Sequence, residues 1–288
     1  HGTAVTGIIG QVNNSVGGVG VAYDSELIIF RGYGIDAAFG DEVWLDAAGL
    51  GDAVGNPFGN SIDGDVVNMS AGYGDDVFIW TQFLQDAVDA METAAEDGRG
   101  GLGTIMVKSA GNSRAAAGSS LREESTAELY DTTRHTINVG AAERTGDITS
   151  YSSPGANLLT AAFAPDDFQV GFSVSDRSGS DGYNTAAGAA GNYTTTFNGT
   201  SAAAPQISGV VALMLEANPD LGWRDVQKII ALASRNVGSD VGAAAVGSEQ
   251  ATDGGAAWQW NAAGEGSSNL HWNGGGLHFS NDYGYGVI

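Results

Sequence analysis

No cysteine occurs anywhere in the 288 residues, so disulfides, thiolate nucleophiles and cysteine-held metals are all excluded, and redox compartment leaves no mark. Basic residues are scarce: 11 Lys+Arg stand against 34 Asp+Glu, a formal net charge of -23. A surface of that sign repels phosphate backbones and anionic lipid, which argues against nucleic acid and membrane as partners. It suits a salty or calcium-containing medium, where cations screen the self-repulsion. Long apolar runs are missing too, because glycine or charge interrupts each one well short of the ~18 residues a membrane helix needs. No internal repeat is evident. The chain opens on His1 without methionine or signal peptide, as expected of a chain whose N-terminal part lies further upstream.

What is present is a length that can bury a large core, read as one α/β domain over 1–288. The chain is organised around 198–219, NGTSAAAPQISGVVALMLEANP. Val210, Val211, Leu213, Met214 and Leu215 leave no polar stripe, so the helix predicted here is buried in the middle of the domain. Ser201 stands in its first turn, where unpaired N–H groups and the positive end of the helix dipole favour an oxyanion. Pro205 is read as part of the same first turn, where a missing N–H costs nothing. Ser208 is expected to bond back to a carbonyl of the preceding turn. On residues alone, a Thr-Ser before a helix is an N-cap.

Further predicted elements are a helix over 1–10, a strand over 26–31, a short helix over 42–50 and a loop over 51–64. Strands at 65–71, 104–108 and 136–142 frame a helix over 80–96 that stops at Gly98. A loop-and-hairpin segment fills 164–197, and an amphipathic helix capped by Asp220 lies within 218–234. Residues 239–268 read as irregular. His135, His271 and His278 sit in no motif, which makes them structural or surface residues.

The serine stretch resembles the serine motif of the subtilisin-like serine proteases through Gly199, Thr200, Ser201, Ala204 and Pro205. It is not the Gly-x-Ser-x-Gly elbow of α/β-hydrolases, since Ala203 replaces the second glycine. His1-Gly2-Thr3 followed by Gly7 is similar to the histidine motif of the same family, and the two motifs together are far more specific than either alone. Residues 98–112, GRGGLGTIMVKSAGN, look like the kexin/furin branch, as do 218–234 and the Tyr-Gly-Tyr-Gly of 273–288, while 148–160 resembles the family's Ser-Tyr-Ser-Ser segment. The gaps fall at 51–64, 164–197 and 239–268.

That resemblance implies a three-layer α/β/α fold with a mainly parallel central sheet, and a secreted, calcium-stabilised serine endopeptidase acting on peptide or protein substrates. It also implies a monomeric domain within a longer multidomain chain. Ser201 would be the nucleophile, His1 the general base and Asn112 an oxyanion donor, with the orienting aspartate upstream of this chain. The glycine-punctuated stretch 11–23 looks like a Ca²⁺ loop whose ligands would be the carbonyls of Val12, Val16 and Gly18 and the side chain of Asn14. Neutral oxygens of that kind suit a hard cation. Residues 68–72 resemble the edge that pairs with substrate backbone, with Ser70 and Gly72 forming the hydrogen bonds.

Asp75 and Glu128 align with acidic positions of a pocket for Arg or Lys. Against a basic preference, Ala71 stands in place of a family tryptophan, and Ser153 where a second-calcium carboxylate is expected. The alternatives are a catalytically inactive domain that binds peptides along 68–72, and an unrelated serine hydrolase acting on esters.

Overall fold

Four short apolar stretches pair into a parallel sheet: β1 (Val66–Met69), β2 (Ile105–Ser109), β3 (Thr136–Ala142) and β4 (Leu158–Phe163), in the order β1-β2-β3-β4. Val67 lies beside Met106, Val107 beside Ile137, and Val139 beside Thr160. All residues of β2 and β3 are buried, the pattern of strands covered on both faces. These are features of a computed structural model that describes residues 1–29, 64–72, 82–114, 124–127, 131–167, 169–235 and 279–288. The predicted helix at 42–50, the loop at 51–63, the segment 239–268, His271, His278, Asp75 and Glu128 lie outside the described residues.

Six further helices and strands are described: α1 (Gly2–Gly10) at the start, α2 (Gln82–Gly101) between β1 and β2, the antiparallel pair β5 (Phe172–Ser175) and β6 (Tyr193–Phe197), and then α3 (Thr200–Ala217), followed by α4 (Trp223–Ala233). Helix α3 packs against all four strands of the parallel sheet. Ala203, Ala204, Ile207, Val211 and Leu215 of α3 share one core with Met91 of α2, Ile137 and Val139 of β3, and Val226 and Ile230 of α4. Residues 279–288 close on β4: the Tyr285 N–H donates to Leu159 O at 2.9 Å and the Ile288 N–H to Ala161 O at 3.1 Å.

Several expectations need correction. Residues 26–29 form no strand. Leu213 is 43% exposed, so α3 is not covered on every face. Pro205 lies past the first turn of α3, and its missing N–H removes the donor for the Ser201 carbonyl four residues back. The N-cap of α4 is Gly222, not Asp220; the Asp225 carboxylate accepts the Gly222 N–H at 3.3 Å. The stop expected at Gly98 does hold: helical geometry in α2 breaks at Gly98 and Arg99. Arg99 takes a left-handed φ of 51° there, and its guanidinium donates to Asp65 Oδ1, Gly103 O, Leu221 O and Pro219 O at 2.8 to 3.2 Å. No helix among the described residues is long and apolar enough to cross a membrane.

Candidate active site

The site begins with backbone shape at Gly199. Its φ of 82° and ψ of 174° put it in a region open only to glycine, and a side chain there would meet Asn112 Oδ1 at 3.3 Å. The turn therefore brings 199–201 against Asn112 from β2's far end. Asn112 Oδ1 accepts both the Thr200 N–H and the Thr200 hydroxyl, each at 2.9 Å. With its oxygen so held, the carboxamide presents Nδ2 as the group left to donate. Ser201 follows directly, in the first turn of α3, where N–H groups lack intrahelical acceptors.

The Asn112 turn is itself clamped from below. Gly111 has a φ of 97°, the Ser153 N–H donates to Gly111 O at 3.0 Å, and Ser153 Oγ accepts the Ser113 N–H at 3.0 Å. Ser153 thus has a structural task at the position where the family resemblance implies a calcium-binding carboxylate. Two residues on, the Arg114 N–H donates to Tyr151 O at 3.1 Å, its Nε to Ser152 O at 2.8 Å, and its guanidinium pairs with the Asp282 carboxylate. Burial pushes the Asp282 carboxyl up from its ordinary value, against the pull of Arg114.

Ser70 brings the end of β1 to Ser201. The Ser201 hydroxyl donates to Ser70 O at 3.2 Å. A polar relay stands behind this contact: Ser208 Oγ donates to Asn68 Oδ1 at 2.8 Å, and Asn68 Nδ2 to Ser70 Oγ at 2.9 Å. Ser208 also lies 3.3 Å from Ala204 O, the back-bond expected of it, but the shorter contact goes to β1. Among the described residues β1 pairs with β2, and its far end continues to Ser70.

His1 is the N-cap residue of α1. Its ring packs edge-on against Phe197 at 5.3 Å between centroids, and Ala4, Val5 and Ile8 cluster with Phe197 and Ala202. That packing sets His1 alongside the turn carrying Ser201, and His1 lines one cleft with Asn68 and Ser70. In this arrangement the Ser201 hydroxyl points to Ser70 O and not to an imidazole.

The expected calcium loop is held by its own hydrogen bonds. Asn14 Oδ1 accepts the Val16 N–H at 3.0 Å, and Gly18 O accepts Gln11 Nε2 at 2.7 Å. Val12 and Val16 are more than half exposed. The oxygens have the right chemistry for Ca²⁺, but four neutral donors fall short of the six to eight it takes, and two of the four are engaged. The loop by itself does not complete a calcium site. Sequence reading passed over Gln11, whose Oε1 also accepts the Ser175 N–H at 2.7 Å and hydroxyl at 2.9 Å.

A serine in the first turn of a buried helix, with an amide at its mouth and the end of β1 beside it, defines a subtilisin-like α/β protein. A model of the subtilase family (Peptidase_S8) matches residues 1–286, and the chain belongs to that family. It is 29% identical over 240 residues to neuroendocrine convertase 2 of Drosophila melanogaster, covering 82% of this chain and 32% of that protein. Human furin is 29% identical over 236 residues, covering 82% and 26%. A dibasic-processing endoprotease of Yarrowia lipolytica is 30% identical over 245 residues, covering 83% and 22%. The chain thus spans about a third or less of the length of these relatives. Among solved structures, the serine protease of Aeromonas sobria superposes with a TM-score of 0.73 at 24% identity, covering 99% of this chain and 51% of that one. Fervidolysin from Fervidobacterium pennivorans gives 0.60 at 21%, covering 99% and 34%. These likenesses show the three-layer α/β/α fold.

Proposed function

We propose that this chain carries the catalytic centre of a secreted serine endopeptidase. Ser201 attacks the peptide carbonyl as His1 takes its proton. Asn112 Nδ2 and the Ser201 N–H receive the oxyanion, His1 then protonates the leaving amine, and water hydrolyses the acyl-enzyme. The triad requires a carboxylate to orient His1, the aspartate expected upstream. Ser70 and Gly72 pair with the substrate backbone. Asp75 and Glu128 are assigned to a pocket for Arg or Lys, a preference also carried by the name of the dibasic-processing relative. A Ca²⁺ ion at Val12, Asn14, Val16 and Gly18 would need oxygens from beyond that loop.

The observation that supports this reading best is the double hydrogen bond from Thr200 to Asn112 Oδ1, which has a purpose if Asn112 Nδ2 is to meet charge next to Ser201. The rival, an inactive peptide-binding domain, is favoured by the Ser201 hydroxyl donating to Ser70 O. A fluorophosphonate probe applied to the protein expressed with whatever sequence precedes His1 distinguishes them. Ser201 is labelled and Ser201→Ala is not. Asn112→Ala slows labelling by about 10² to 10³, and Thr200→Val slows it less. Absence of labelling in the unsubstituted protein supports the binding domain instead.

A further inference from the structure

Ser208 is a hydroxyl among apolar neighbours. It lies inside α3 and is 2% exposed, and the residues of that helix that share the core around it, Ala204, Ile207 and Val211, are all apolar. Alanine fills positions 202, 203 and 204 of the same helix, and a buried hydroxyl at 208 costs free energy unless it is hydrogen-bonded. The ordinary partner of a serine inside a helix is the carbonyl four residues back. Ala204 O is 3.3 Å away, whereas Asn68 Oδ1, on β1, is 2.8 Å away and takes the proton. Packing alone would be served by alanine; the hydroxyl is aimed at β1.

That contact decides which way Asn68 faces. With Oδ1 held by the Ser208 hydroxyl, the carboxamide presents Nδ2 on its other side, and Nδ2 donates to Ser70 Oγ at 2.9 Å. Ser70 is 7% exposed, and its carbonyl accepts the Ser201 hydroxyl at 3.2 Å. The chain of hydrogen bonds therefore leaves α3 at Ser208, crosses to β1 through Asn68, and returns to α3 at Ser201. Asn68, Ser70 and Ser208 line the same cleft as His1.

We infer that Ser208, acting through Asn68, is a positioning residue that aims the Ser70 carbonyl at the substrate backbone. This rests on the peptidase reading, in which Ser70 pairs with substrate. Ser70 O lies within hydrogen-bond reach of Ser201 Oγ, so the N–H it meets belongs to the residue whose carbonyl Ser201 attacks. A carbonyl whose direction is already fixed by a buried network gives up little freedom when substrate arrives.

The test uses two peptides of one sequence, one unmodified and one N-methylated on the residue before the cut, which removes that N–H. Both are cleaved by the protein expressed with whatever sequence precedes His1, by Ser208→Ala, by Asn68→Ala and by the double variant. The ratio of kcat/KM, unmodified over methylated, is its own control for the amount of folded enzyme. It is expected to favour the unmodified peptide and to fall roughly three- to tenfold in Ser208→Ala, the worth of one ordinary hydrogen bond. In the Asn68→Ala background the Ser208→Ala change should lower it no further, because the relay is already broken. An unchanged ratio in Ser208→Ala, or an equal second fall in the double variant, overturns the assignment. Fluorophosphonate labelling of the unsubstituted protein separates the failures: labelled protein with either of those outcomes rejects the relay alone, and unlabelled protein rejects the peptidase reading and this inference with it.

Discussion

Arg114 and Asp282, 168 residues apart in the chain, form an ion pair in which the side chains are 6% and 1% exposed. Arg114 follows Asn112 by two positions, so the pair ties the last described segment to the turn that presents the amide.

Breaking this pair on one side leaves a buried charge. Asp282→Ala is expected to cost about 3 to 5 kcal/mol in urea unfolding, while an apolar replacement of both partners, Arg114→Met with Asp282→Leu, costs far less. Equal losses for the single and double changes would mean that the pair does no more than fill space.

Gln11 is expected to matter more to the loop 11–20 than calcium does in the 288-residue chain. Gln11→Leu orphans the Ser175 N–H, at about 1 to 3 kcal/mol, which for a chain of this size lowers the thermal midpoint by roughly 2 to 4 °C per kcal/mol. Chelating calcium should lower it less. A larger drop on chelation would show that the carbonyls of Val12, Val16 and Gly18 hold the ion after all.

His135 supplies a pH dependence whose sign can be worked out. Its side chain is fully buried, edge-on to Trp223 at 4.7 Å, and its Nε2 accepts Arg134 Nε at 3.2 Å. Burial first, then Arg134, hold the imidazole below its ordinary 6.5. The unfolded chain therefore takes up a proton near pH 6.5 that the folded one refuses. The stabilisation is present above that pH and is lost as pH falls through the lower folded value, by at most about 1.4 kcal/mol per unit. Urea titrations between pH 7 and 5 should show this slope, and His135→Phe should flatten it. A slope unaltered by the substitution would assign it to other groups.

What could be read from the sequence is what local chemistry dictates. The small, glycine-bounded run after His1 forms α1, the apolar runs around Val107 and Val139 form β2 and β3, and Ser201 stands in the first turn of its helix. Position along an element was harder: Pro205 sits one turn deeper than its missing N–H suggested, because the helix already starts at Thr200. Contacts between distant residues were not legible. Nothing in a chain with 34 acidic residues marks Asp282 as the partner of Arg114. Likewise, the hydroxyl of Ser208 had a nearby carbonyl to choose, and only the packing of α3 on β1 offers it Asn68. The role of Ser153 was invisible for a related reason, since its value lies in a bond to Ser113, 40 residues earlier.

The partnership of Arg114 with Asp282 also sets a schedule. During synthesis, the turn bearing Asn112 emerges long before the strand-like tail that neutralises its arginine, and a contact so far apart in sequence forms late in folding. A nascent domain would hold its serine helix and all four strands of its parallel sheet while Arg114, two positions past Asn112, still lacks its carboxylate. The anchoring of Arg114 is thereby deferred until residues 279–288 have been made, whatever is synthesised after them.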